Sequence, residues 1–118
     1  MDYYDREGMP MAMMDWARTF EDMSYRRVKV SVVNNLVVVS TVWLGLNHRW
    51  GPGPPLIFET MTFPVDKAKV SSFSEMPELF GRYSSEGMAE AGHDAIVERL
   101  VTLLEGAPAV AELEGKGV

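Results

Sequence analysis

The sequence predicts an α+β fold: an antiparallel meander of three or four strands with two helices packed against it. Three observations predict it. Residues 26–33 alternate, Val28, Val30 and Val32 against Arg27, Lys29 and Ser31, which is the period of a half-buried strand. Two apolar β-type runs follow, 36–46 and 55–63, joined by Asn47-His48-Arg49-Trp50-Gly51-Pro52-Gly53-Pro54, which continues neither a strand nor a helix. Segments 11–23 and 86–105 repeat apolar residues at helical spacing.

Taken in order, Asp5-Arg6-Glu7-Gly8 reads as a tight turn, and Pro10 suits the first turn of a helix. The first helix spans 11–23, with Met13, Trp16, Ala17, Phe20 and Met23 as its apolar stripe. It lacks a Ser, Thr, Asp or Asn cap. Asn34-Asn35 then forms a two-residue hairpin turn, since Asn tolerates the left-handed conformation such turns require. That register sets Val32 opposite Val37, Val30 opposite Val39 and Val28 opposite Thr41, and a one-residue slip would exchange every face. The strand at 55–63 returns beside the second. Segment 64–80 is a long loop with a helical turn near 75–79, and a short strand covers Phe80–Tyr83. Ser84 or Ser85 caps the second helix. Spacing residues about 100° apart puts Ala89, His93, Ile96, Val97, Leu100 and Leu104 on one stripe of it. Gly106-Ala107-Pro108 ends that helix.

The chain of 118 residues reads as one domain over 1–106 with a flexible tail over 107–118. Its net charge of −6, from 11 basic and 17 acidic residues, disfavours a nucleic-acid surface. The absence of cysteine removes disulfides, thiolate metal sites and thiol catalysis. The charged N-terminus does not resemble a secretory signal, and the longest apolar run falls short of the ~20 residues of a membrane helix, so a cytoplasmic protein is expected.

Four residues suggest a ligand site. His93 stands in an apolar stripe, where it is either a base in a cleft or a core histidine bonded to a strand. Glu59 interrupts a strand and needs a partner; the expected register gives it Lys29 across the sheet. His48 and Tyr83 complete the group. Trp43, Arg49 and Trp50 are candidate interface residues. Met13 is expected in the core, with Met9, Met11 and Met14 as an adaptable surface. No spacing indicates a metal site, phosphate loop, nucleophile elbow or other complete catalytic constellation, and no cofactor is implied. The strand at 26–33, left at an edge, offers a route to a homodimer.

Tyr4-Asp5-Arg6-Glu7-Gly8-x-Pro10, Asp15-Trp16-Ala17-Arg18-x-Phe20-Glu21-Asp22 and above all Val39-Ser40-Thr41-Val42-Trp43-Leu44-Gly45-Leu46-Asn47-His48 resemble a family of small uncharacterised proteins of bacteriophages that infect mycobacteria and related actinobacteria. The resemblance continues through Pro54-Pro55-Leu56-Ile57-Phe58-Glu59-Thr60-Met61, Arg82-Tyr83-Ser84-Ser85 and Ala91-Gly92-His93. Asn47 stands where an Asp is expected, and segment 64–80 is longer than usual. The resemblance implies a phage accessory protein acting in the host cytoplasm and carries no reaction, cofactor or catalytic residue. Three functions follow as expectations. The first is a non-enzymatic binder of a host or phage protein through the sheet or the 47–55 loop. The second is a small-molecule or nucleotide-binding protein, or a weak hydrolase, with a pocket around His48, Glu59 and His93. The third is a minor structural or assembly protein.

Overall fold

The computed structural model describes residues 2–66, 76–104 and 110–112. A small hairpin of β1 (Tyr3–Tyr4) and β2 (Pro10–Met11) leads into α1 (Met13–Phe20) and a one-turn α2 (Met23–Arg26). Then come β3 (Arg27–Val33), β4 (Val37–Trp43), β5 (Phe58–Pro64), a 3-10 turn at Pro77–Leu79, β6 (Gly81–Tyr83), α3 (Glu86–Leu103) and β7 (Val110–Glu112). The main sheet runs β6-β5-β4-β3-β7, with every pair antiparallel. Its first four strands are a meander in chain order, and the fold is α+β. None of the described helices is long and apolar enough to cross a membrane.

The β3–β4 hairpin differs from its expected register by one residue. Asn34 and Asn35 both adopt positive φ, 52° and 55°, and the Leu36 amide donates to the Val33 carbonyl at 3.0 Å, as an Asn-Asn turn should. The ladder nevertheless resumes at Val37, which pairs with Val33; Val32 pairs with Val38 and Ser31 with Val39. Leu36 is held out of the ladder by two partners of its own. Its side chain packs against the cluster around Val33, Val37, Leu79, Ile96 and Leu100, and its carbonyl accepts the Val65 amide at 2.8 Å. The slip places Lys29, Ser31 and Val33 on the face shared by Val37, Val39, Thr41 and Trp43. A bulge between Arg27 and Lys29 then shifts the register again.

That face takes α3. Ser85 caps the helix, its hydroxyl accepting the Met88 amide at 3.2 Å, and Ala89, His93, Ile96 and Leu100 are buried on the expected stripe. Two apolar clusters result. One holds the valines of the hairpin with Leu79, Ile96 and Leu100; the other joins Trp43, Ile57, Phe58 and Ala89 to Trp16, Phe20, Tyr25 and Tyr83.

The expected first helix is two helices. After Phe20 the chain turns extended at Asp22 (φ −86°, ψ 100°), whose carboxylate accepts from the Ser24 and Tyr25 amides and starts α2. A short acidic side chain offers the backbone this alternative to continuing a helix. The hydrogen bond to Ser24 holds the Asp22 carboxyl below the usual carboxylate range. Pro10 lies in β2 rather than in a first helical turn, paired with Tyr4. The methionines also exchange roles: Met11 packs beside Trp43, whereas Met13 is exposed together with Met9 and Met14. Trp16 and Phe20 alone carry the inward face of α1.

The expected tail gives way at Val110–Glu112 to β7, which pairs with Ser31–Val33; the rest of the 107–118 tail and the 106–108 stop signal lie outside the described residues. Over Ser31–Val33, β3 therefore has a neighbour on each side. The edge route to a homodimer is closed there.

Candidate functional site

Between the two apolar clusters runs a polar seam. His93 is fully buried, and its Nε2 lies 2.8 Å from Ser31 Oγ while its Nδ1 lies 2.7 Å from Thr41 Oγ1. Thr41 Oγ1 in turn lies 2.5 Å from Thr60 Oγ1. The slipped register makes the seam, because it brings Ser31 and Thr41 to one face of adjacent strands. A neutral imidazole has one donor and one acceptor, and a hydroxyl can serve as either. Both tautomers are therefore satisfied: the hydrogen bonds run from Thr60 through Thr41 and His93 to Ser31, or in the reverse sense. With both nitrogens engaged inside the core, His93 fastens α3 to the sheet; it has no lone pair facing a substrate.

Glu59 lies on the opposite face. It stands opposite Val42 and adjacent to Thr60, so a sheet's thickness separates it from His93. The expected Glu59–Lys29 pair does not form, because the slip turns Lys29 toward α3, where it meets Asp94 at 2.8 Å. Glu59 pairs instead with Arg82 on the neighbouring strand at 3.1 Å. An open depression of about 320 Å³ lies there, lined by Glu59, Thr60, Met61, Phe80, Gly81 and Arg82. Neither histidine lines it.

Tyr83 is half-buried beside Gly81 and Gly92, where a Cβ on either glycine would overlap its ring. Gly in a helix interior costs about 1 kcal/mol relative to Ala. At Gly92 that cost is offset by the close approach of strand β6 to α3.

Trp43 is not a contact residue: it is fully buried, its indole N–H donates to the Tyr4 carbonyl at 3.0 Å, and Tyr25 meets it edge-on at 5.0 Å. The β1–β2 hairpin that covers it is tied to α3 by Arg6, which bridges to Glu86 at 2.7 Å.

The 47–55 loop behaves differently. Asn47 Oδ1 accepts the Arg49 and Leu56 amides at 2.9 and 3.0 Å, and the His48 amide donates to the Leu56 carbonyl at 3.0 Å. An Asp at this position would supply the same Oδ1 acceptor. His48 Nδ1 lies 2.7 Å from the Leu46 carbonyl, which only accepts, so Nδ1 carries the proton and Nε2 is left as the acceptor. Arg49 Nε donates to the Pro54 carbonyl at 2.5 Å, and its guanidinium lies against Gly53, whose φ of +137° and missing side chain make the room. From this braced base Trp50 projects with 98 % of its surface exposed.

The seven residues singled out in the sequence therefore form three separate places: His93, Tyr83 and Trp43 in the core, Glu59 on the outer face of the sheet, and His48, Arg49 and Trp50 in the loop. The hydroxyls of Ser31, Thr41 and Thr60 were missed. Their signal was present, as isolated hydroxyl residues in valine-rich strands with one apolar-face histidine to satisfy, but the two-residue turn put Ser31 and Thr41 on opposite faces. Among the described residues no three His, Asp or Glu side chains gather as a metal site. No protein-family model, curated protein or solved structure matches this chain.

Proposed function

We propose that this chain is a non-enzymatic binding protein that engages another protein, of a phage or of its bacterial host, through the 47–55 loop. The observation that carries the reading is Trp50, an indole held in solvent on a loop whose base is fixed by hydrogen bonds of Asn47, His48 and Arg49. Leaving a large aromatic ring in water gains nothing for folding. A braced loop loses little conformational entropy on binding, and Trp and Arg are the residues that most often dominate interfaces. The phage setting and the host cytoplasm rest on the sequence resemblance alone.

The test is capture from an actinobacterial lysate by the wild-type chain and by Trp50→Ala in parallel. The reading expects a protein retained by the first and lost from the second. Identical recoveries from both baits would refute it.

A further inference from the structure

Five of the eight described cations are paired with carboxylates. Arg6 bridges to Glu86 at 2.7 Å, Arg18 to Asp15 at 2.6 Å, Lys29 to Asp94 at 2.8 Å, Arg82 to Glu59 at 3.1 Å and Arg99 to Glu78 at 3.8 Å. Among the described residues only Arg26, Arg27 and Arg49 lack a carboxylate partner. Arg26 lies over the Phe20 ring at 3.9 Å and Arg27 sits half-buried at the start of β3. Arg49 differs from both. Its Nε is committed to the Pro54 carbonyl and its plane is set by Gly53, yet neither terminal nitrogen has a carboxylate, and the next residue is the exposed Trp50.

Resting on the binding role proposed above, we propose that the loop recognises a carboxylate set beside an apolar pocket on its partner: Arg49 takes the Asp or Glu while Trp50 fills the pocket. A guanidinium whose Nε is already engaged still presents its two terminal N–H₂ groups to a carboxylate. The remainder of the surface supports the assignment. A chain of net charge −6 repels an acidic partner broadly, so an oriented cation next to an apolar anchor sets where such a partner docks. A single arginine falls short of the basic groove that tracks a nucleic-acid backbone.

Selection of a random peptide library on the wild-type chain, with Trp50→Ala and Arg49→Gln as counter-baits, tests this. The expected result is Trp50-dependent peptides enriched in Asp or Glu next to a large apolar residue, losing about tenfold in affinity against Arg49→Gln. Trp50-dependent peptides with no acidic preference, and indifferent to Arg49→Gln, would overturn the carboxylate assignment and leave the binding loop standing. Peptides that ignore Trp50 altogether, or Trp50-dependent binding of oligothymidylate in place of peptides, would remove both. Because Arg49 Nε also braces the loop, undiminished binding of Trp50-dependent peptides that lack Asp and Glu to Arg49→Gln confirms that the tenfold loss belongs to the carboxylate and not to a loosened loop.

Discussion

The protein holds one tryptophan and one histidine in its sealed core and another of each in its surface loop, and the pairs are treated in opposite ways. Trp43 and His93 are fully buried, and each ring nitrogen has a partner: a carbonyl for the indole, two hydroxyls for the imidazole. Trp50 stands in solvent, and His48 keeps an acceptor nitrogen outside its bond to Leu46. Residue type alone therefore says little about role. What separates the pairs is whether the fold has already used the chemistry that each side chain offers.

The comparison breaks first, and with the largest effect, at the two tryptophans. Trp43→Ala should cost about 3–5 kcal/mol in denaturant unfolding, because it empties a filled site among Phe58, Tyr25 and Ala89. Trp50→Ala should stay within about 0.5 kcal/mol of the parent. Comparable losses at both sites would show that the loop supports the fold.

The next largest effect concerns the seam. His93→Leu leaves Ser31 and Thr41 buried without their partner and should lower stability by about 2–4 kcal/mol. Adding Ser31→Ala, Thr41→Val and Thr60→Val removes the orphaned hydroxyls and should recover most of that loss. A quadruple variant no more stable than His93→Leu would contradict the view that hydrogen-bond satisfaction is what holds histidine there.

A smaller effect sharpens the core side. Gly92→Ala should be stabilising by about 1 kcal/mol on helix propensity alone. Overlap with the Tyr83 ring should reverse the sign, and thermal unfolding of Gly92→Ala beside Gly92→Ala/Tyr83→Ala reads this directly. The smallest effect is pH-dependent. Asp22 titrates below the usual carboxylate range in the folded state, so its contribution to α2 is complete above the unfolded value and fades as pH falls through the folded one. The Ser24 and Tyr25 amide resonances should report that loss in acid, while those of α3 hold.

Much of the fold was legible from periodicity. The alternation at 26–33, the apolar runs around the Gly/Pro loop and the stripe on 86–105 each correspond to an observed element within a few residues. What could not be read was tertiary. Leu36 sits outside the ladder because its side chain prefers a core formed by Leu79, Ile96 and Leu100, residues far away in sequence. That single displacement moves Ser31 beneath His93 and Lys29 away from Glu59, so the candidate site failed where the register did. Asp22 likewise divides a helix that the spacing of Phe20 and Met23 had joined. The loop needed no register, since Gly51-Pro52-Gly53-Pro54 announces irregular chain by itself; its bracing by Asn47 depends on hydrogen bonds that no pattern of residue types displays.

The contrast is sharpest between His93, sealed as a structural group, and His48, which is only half-buried. Deuterium exchange at the two histidine C2 positions, read together by mass spectrometry under native conditions, compares them within one sample. His48 should exchange the faster of the two and His93 far more slowly. Equal rates, or a faster His93, would mean that the core imidazole is reachable and would reopen it as a site of chemistry.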